Sequence, residues 1–279
     1  MKEFFGIGGF TREPEGAWSW QHILFVSLML VAMIALAVFL GLKNREKELK
    51  TKNKVLIWAA ILIDGFELMK IIVNCIDGGF DAMRRMLPLF LCSIQLITIP
   101  LAAFSKGRLK EASLDFVMTF GILGAIFGTV GATQNYNAYP VLSMPNVVSA
   151  ITHCISGFAS LYIILSKMDS MQKKNIPFTL AILTGFCIAA LIANLALDYN
   201  YMFLMNHDGT PYVIFWNLVG GNRVLYAICV VLLFFIYIIL FYQIYFWIKH
   251  KSFPFPFKRA KKMQPAIAAA DAENTEENN

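Results

Sequence analysis

Predominantly apolar residues lie along the chain in long blocks that are separated by short polar connections. Each block is about 20 residues long, which is the length that an α-helix needs to cross the hydrocarbon core of a bilayer. The blocks cover residues 22–42, 55–76, 87–104, 114–132, 146–166, 178–198 and 223–248. The pattern therefore predicts an all-α, polytopic membrane bundle of seven transmembrane helices.

The lysines and arginines predict how this bundle is oriented. Eighteen of the 24 lie on one side, in the connections 43–54, 105–113 and 166–177 and after residue 248, whereas five lie on the other side. Because cytoplasmic connections carry the excess of basic residues, we expect the N-terminus outside and the C-terminus in the cytoplasm. The predicted domains are an extracellular lead (1–21), the transmembrane domain (22–248) and a cytoplasmic tail (249–279) that is basic, then acidic and disordered.

The overall composition favours the same class of protein. Hydrophobic residues make up 58% of the chain and charged residues 15%, against about 45–50% and 25% in soluble domains. The net charge of +6 comes from basic connections beside apolar blocks, which indicates membrane topology rather than nucleic-acid binding. The five cysteines form no CxxC pair and the four histidines lack ligand spacing, so we expect neither a disulfide framework, a metal site nor a cofactor.

A cysteine and a histidine are the candidate catalytic residues. Cys92 lies in the apolar run 87–95, where Gln95 would follow one helical turn later on the same face. His153 lies in the fifth block, at about the same predicted depth as Cys92. A histidine beside a cysteine can generate a nucleophilic thiolate. Cys92 is also compatible with a role as a small buried hydrophobic residue.

Further polar residues fall in the outer half of the predicted bundle. Asp64, Glu67 and Lys70 follow one another at i+3 spacing in the second block, which allows either an internal Glu67–Lys70 ion pair or a functional site. We expect these residues to line an outward-facing polar pocket with other candidates, namely His22, Gln95, Asn194 and Asn200. The fourth block carries small residues on one face, which predict close helix packing: Gly121, Gly124, Gly128 and Gly131.

Several segments resemble a known family of bacterial membrane proteins. They are WQHILF, FELMKII, RRMLPLFLCSIQL, VVSAITHCIS and NYMFLMNHDGTP. Together these segments resemble the YwaF (TP0381-type) integral membrane family over most of residues 20–248. The resemblance implies seven helices and a location in the plasma membrane. Many relatives carry a polar residue where this chain has Phe90.

That family is distantly similar to a eukaryotic transmembrane acyltransferase family, which remodels ether phospholipids through a cysteine and a histidine. By this resemblance His153 is the counterpart of the histidine, and Cys92 is the cysteine in the motif of the third helix. The resemblance thus implies membrane lipids as partners and a phospholipid as substrate.

The leading hypothesis is a lipid-modifying enzyme that transfers or hydrolyses acyl groups. Cys92 would be the nucleophile and His153 the base, while Glu67, Lys70 or His22 would orient groups or bind a phospholipid head. One alternative is a transporter or small-ligand-binding protein, whose polar pocket around Glu67 includes Asp64 and His153. Another alternative is a membrane scaffold without catalytic activity.

Overall fold

A computed structural model describes residues 2–168 and 171–250. This part of the chain contains α-helices, two short 3₁₀ turns and no β-strand. The helices are α1 (Lys2–Phe5), α2 (Trp20–Asn44), α3 (Leu49–Arg84), α4 (Gln95–Phe104), α5 (Gly107–Thr129), α6 (Thr133–Ala138), α7 (Met144–Leu165), α8 (Ile176–Leu197), α9 (Val213–Leu218) and α10 (Arg223–His250). Most of the predicted tail, from residue 251 onward, lies outside the described residues.

The chain divides into two compact units, 1–241 and 242–279. The cavities described below belong to the first unit. Five helical segments in the described ranges are long and apolar enough to cross a membrane: Trp20–Asn44, Gly107–Ala138, Met144–Leu165, Lys173–Leu197 and Arg223–Lys249. The all-helical, multipass character predicted from the apolar blocks is thereby confirmed.

The two remaining blocks have a different character. The helix α3 is 36 residues long, but its apolar stretch contains Asp64, Glu67 and Lys70, and Gly79 breaks its regular geometry with a φ of 52°. The helix α4 has only ten residues, with Pro100 inside it. These two segments are not among the five candidate spans.

The third block starts its helix later than the apolar pattern predicts. We expected a helix from residue 87, whereas α4 begins at Gln95 and residues 87–94 form turns. Pro88 explains the difference, because proline has no N–H to donate and disfavours the helical conformation of the residue before it. Cys92 therefore lies in a turn, and the expectation that Cys92 and Gln95 share one helical face is not met.

Contacts between connections define two ends of the first unit. At one end, the Lys110 ammonium donates to the Asn53 side-chain carbonyl at 2.7 Å, and the Lys52 ammonium donates to the Lys167 backbone carbonyl at 3.4 Å. These contacts bring the basic connections 43–54, 105–113 and 166–177 together.

At the opposite end, contacts link the connections that carry few lysines and arginines. The Ala17 backbone N–H donates to the Asn137 side chain at 2.8 Å, which fastens the N-terminal lead to the segment around α6. The Arg84 guanidinium donates to the Leu197 carbonyl at 3.3 Å. The structure thus groups the connections by the same two sides that the basic residues distinguish.

Candidate functional site

Aromatic contacts hold the turn that carries Cys92. The Phe90 ring, two residues before Cys92, packs against Tyr201 and Phe203, with ring centroids 5.4 and 5.9 Å apart. The Tyr201 hydroxyl donates to the Arg84 carbonyl, just before the turn. These contacts fix residues 87–94 against the connection that follows α8, although the two segments are more than 100 residues apart in sequence.

Cys92 borders a small cavity, which we term the polar chamber. Its volume is about 30 Å³, enough for one or two water molecules. Four elements supply its walls: α3, the turn that leads into α4, the first turn of α4, and α7. The lining residues are Ile63, Glu67, Lys70, Cys92, Ser93, Leu96, Ser149, Thr152, His153 and Ser156. The structure thus brings Cys92, His153, Glu67 and Lys70 to one cavity.

An ion pair forms one wall of this chamber. The Lys70 ammonium lies 2.7 Å from a Glu67 carboxylate oxygen, and both side chains are largely buried. Lys70 also interacts electrostatically with the Cys92 thiol and the His153 ring. The internal pair allowed by the i+3 spacing is therefore present, and its cation also acts on both candidate catalytic groups.

Removing one member of this pair is expected to destabilise the protein. In the Glu67→Ala variant the Lys70 ammonium would stay buried without its counter-charge, at a cost of about 3 kcal/mol in the free energy of unfolding. The double variant Glu67→Leu/Lys70→Met should recover most of the loss, because it removes both charges. Thermal unfolding in detergent measures both effects. Equal destabilisation by the single and double variants would contradict this account.

Close packing of α5 against α7 determines where the His153 ring lies. A Cβ atom at Gly128 would overlap the His153 imidazole, so only glycine leaves room for the ring in this place. A Cβ atom at Gly121 would collide with the Ser156 carbonyl. The close helix packing predicted from the four glycines of the fourth block is thus found at Gly121 and Gly128, and at Gly128 it positions a candidate catalytic residue.

Cys92 also lines a second cavity, the apolar cavity, which has a volume of about 240 Å³. The walls are mostly aromatic and aliphatic side chains from the turn before α4, from α5, from the connection around α9 and from α10. The lining residues are Phe90, Leu91, Cys92, Phe120, Leu123, Gly124, Phe127, Met202, Phe203, Tyr212 and Phe234. Cys92 is therefore part of the wall between a polar chamber and an apolar cavity.

Tyr212 brings a hydroxyl group to the apolar cavity. Its ring contacts Phe203 and Phe234, with centroids 5.9 and 6.3 Å away. Burial raises the pKa of the Tyr212 phenol above its usual value, and the interaction with Cys92 adds to the shift. The hydroxyl is therefore protonated at neutral pH and can donate a hydrogen bond.

A larger polar cavity of about 520 Å³, which we term the vestibule, adjoins the apolar cavity. Phe90 and Phe203 line both cavities. The vestibule is lined by Phe90, Gln134, Asn194, Asp198, Tyr199, Asn200, Phe203, Met205, Asn206, Asp208 and Arg223. Asn194 and Asn200 thus lie in the vestibule and not in the polar chamber.

Both asparagines organise the connection that forms the vestibule wall. The Asn194 side chain accepts a hydrogen bond from the Tyr201 N–H at 2.5 Å and donates to the Tyr201 carbonyl at 3.1 Å. The Asn200 side chain donates to Asp208 at 2.7 Å and accepts from the Met205 N–H at 2.8 Å. These bonds shape the vestibule, which makes the two residues structural supports of the site.

Three other predicted pocket residues lie elsewhere. Asp64 is exposed on α3 and does not line the chamber. His22 accepts a hydrogen bond from the Trp18 N–H at 3.0 Å and packs on the Tyr136 ring, 3.9 Å away. The side-chain amide oxygen of Gln95 accepts a hydrogen bond from the Thr98 hydroxyl at 3.0 Å. The Asp64 side chain is exposed although Glu67 is its neighbour one turn along α3, and Gln95 is buried but lines neither the polar chamber nor the apolar cavity.

The structure adds residues that the sequence analysis did not single out. Ser149, Thr152 and Ser156 flank His153 in the chamber, and their spacing of three and four residues on α7 was a readable signal. No local spacing pointed to Tyr212, because this residue reaches the apolar cavity only when the connection 198–222 folds back over the helices. In the described ranges no group of three or more His, Cys, Asp or Glu side chains could hold a metal ion.

Comparison with known proteins identifies the family to which this chain belongs. No curated protein and no solved structure matches this chain. The YwaF name and the bacterial origin drawn from the motifs stay predictions, whereas the expected membrane-protein family of this type finds support in a family model. The TMEM164 family matches residues 17–250, a range that includes the polar chamber, the apolar cavity and the vestibule. The chain therefore belongs to the TMEM164 family and is a multipass membrane protein.

Proposed function

We propose that the protein is a lipid-modifying enzyme of the acyl-transfer or acyl-hydrolysis type, with Cys92 as nucleophile and His153 as base. The observation that carries the proposal is the position of Cys92 between two cavities of opposite polarity. A lipid ester needs both environments, because its acyl chain is apolar while proton transfer at its carbonyl group requires polar partners. The distant resemblance to a cysteine–histidine acyltransferase family supports the same assignment.

The reaction would proceed in two stages. The His153 imidazole takes the Cys92 proton as the sulfur attacks the ester carbonyl carbon, and a carbon–sulfur bond forms. The ester carbon–oxygen bond then breaks, and the departing alkoxide takes the proton from His153. In the second stage an acceptor hydroxyl or water gives its proton to His153 and attacks the thioester. The carbon–sulfur bond breaks, and the thiolate regains the proton.

The surroundings of Cys92 explain why it needs these partners. Burial away from water disfavours a thiolate, whereas a nearby cation and a base favour it. Lys70 supplies the cation and His153 the base, and both line the chamber. Glu67 balances the Lys70 charge through the ion pair, so the buried site carries no large net charge before reaction.

The alternative of a transporter with a ligand pocket around Glu67 is less well supported. The chamber at Glu67 has a volume of about 30 Å³, whereas small-molecule sites usually have about 300–1,000 Å³. Asp64 is exposed and does not line this chamber. The proposal further includes seven membrane passes, an outside N-terminus and a plasma-membrane location, which follow from the apolar blocks, the basic connections and the family resemblance.

Tyr212 is proposed as a donor to the oxyanion that forms at the attacked carbonyl carbon. The Tyr212→Phe variant keeps the ring contacts with Phe203 and Phe234 but removes the hydroxyl. We expect the acylation rate to fall about 100-fold with little change in lipid affinity. Single-turnover kinetics provide the rate. The matched control is Tyr139→Phe, an exposed tyrosine that lines none of these cavities and should retain activity. An unchanged rate in Tyr212→Phe would exclude this role.

The experiment for the proposed function measures lipid conversion directly. Purified protein in phosphatidylcholine nanodiscs is incubated with a lysophospholipid acceptor that carries an isotopically labelled head group. Mass spectrometry of the lipids should reveal labelled diacyl phospholipid for acyl transfer, or free fatty acid for hydrolysis. The absence of both products across several phospholipid classes would contradict the proposal. Uptake that depends on Glu67 and tolerates Cys92→Ala would favour transport.

A further inference from the structure

We propose that the groove between α8 and α10 is a phospholipid-binding site, in which an acyl chain lies along the two helices and the lipid phosphate contacts Arg223. The proposal rests on the proposed function in taking a phospholipid as the ligand. It adds a site and an entry route that are remote from Cys92 and His153.

The groove is formed by one apolar stripe on each helix. The stripe on α8 consists of Thr184, Cys187, Ile188, Leu191 and Leu195, and the stripe on α10 consists of Val224, Ala227, Ile228, Val231 and Leu232. The members follow one another at spacings of one, three or four residues, the pattern of a helix face, so each stripe occupies one face of its helix. The cavity between the stripes has a volume of about 520 Å³. Such a space suits a hydrocarbon chain.

The length of the groove matches one half of a bilayer. From Thr184 to Leu195 the α8 stripe rises roughly 16 Å at 1.5 Å per residue. One leaflet of the hydrocarbon core is roughly 15 Å thick. Arg223 lies at the end of the groove where Leu195 and Val224 meet the connection 198–222. The Arg223 guanidinium would therefore lie at the level of the lipid phosphates. Arginine binds phosphate through paired hydrogen bonds.

The groove is continuous with the route to Cys92. Arg223 and Met205 line both the groove and the vestibule. Phe90 and Phe203 line both the vestibule and the apolar cavity, which ends at Cys92. A phospholipid that enters sideways from the bilayer would thus pass its head group through the vestibule and direct an ester group toward the thiol.

A lipid fits these surfaces better than a free anion does. Asp198 and Asp208 also line the vestibule, and their carboxylates repel a small anion that has only Arg223 to hold it. A phospholipid adds van der Waals packing of its acyl chain against the apolar stripes, which a free anion lacks. The apolar stripes therefore bind the acyl chain while Arg223 binds the phosphate of the same lipid molecule.

The experiment uses Cys92→Ala protein in phosphatidylcholine nanodiscs, so that labelling does not depend on catalysis. The nanodiscs contain a phosphatidylcholine analogue with a diazirine in its acyl chain, and peptide mass spectrometry maps the sites of photolabelling. We expect labelling concentrated at Ile188, Leu191 and Ile228. Arg223→Gln should lower labelling of the groove roughly tenfold, the effect of losing a charge-assisted contact. Ala227→Phe, which fills the groove, should lower it similarly.

The matched control for Ala227→Phe is Ala35→Phe on the exposed face of α2, which should leave groove labelling unchanged. A diacylglycerol analogue, which lacks the phosphate, should label the groove less than the phospholipid does. Equal labelling of α2 and of the groove would mean ordinary annular lipid only and would overturn the proposal. Equal labelling by the two analogues, or no effect of Arg223→Gln, would overturn the assigned role of Arg223.

Discussion

Replacing Cys92 by alanine is expected to abolish acyl transfer, with a fall of at least about 10⁴-fold in the rate. The thiol is the atom on which the thioester forms, and the wall between the two cavities offers no other nucleophile of equal strength. Product formation from an isotopically labelled lipid measures the effect.

The matched control for this variant is Cys154→Ala. Cys154 is buried on α7 next to His153 in sequence but does not line the polar chamber. It should retain nearly full activity, which separates loss of the nucleophile from general damage to the fold. Substantial turnover in well-folded Cys92→Ala protein would exclude the covalent mechanism.

Changing Gly128 to alanine is expected to lower activity about 100-fold or more without any change in the catalytic residues themselves. The added Cβ atom would overlap the His153 imidazole, so the ring must leave its place against α5. Loss of a correctly positioned general base costs about 10²–10⁴ in rate. The rate of acyl transfer, with thermal unfolding measured in parallel, tests the prediction.

Gly65→Ala on the exposed face of α3 is the matched control. A Cβ atom at Gly65 would meet no atom within 4 Å, and Gly65 lines none of the cavities that lead to Cys92. Gly65→Ala should therefore leave most of the activity. Equal losses in the two glycine variants, or full activity in Gly128→Ala, would show that the His153 position does not matter for the reaction.

Local spacing predicted the parts of the site that lie on single helices. Glu67 and Lys70 are three residues apart, and this spacing alone places their charged groups within reach on α3. The apolar blocks likewise predicted a multipass helical protein, because the length of a spanning helix follows from the thickness of the bilayer. His153 was conspicuous since an imidazole within an apolar block needs partners.

The other parts of the candidate site depend on contacts between segments that are distant in sequence. Pro88 prevents a helix at the start of the third block, and the resulting turn is fixed by Tyr201 and Phe203 from a much later connection. No local pattern encodes the packing of Tyr201 and Phe203 on this turn, so the cavities that Cys92 lines could not be predicted. The vestibule has the same origin, because the side-chain bonds of Asn200 shape it.

The most direct test of covalent catalysis at Cys92 is the intact mass of the purified protein in phospholipid nanodiscs. We expect a mass increment of one acyl chain in the wild type, no increment in Cys92→Ala, and a strongly reduced increment in His153→Ala. An increment that persists in Cys92→Ala would place the acyl group on another residue. Absence of any adduct with every phospholipid class, in well-folded wild-type protein quenched at several times, would contradict a covalent acyl intermediate at Cys92.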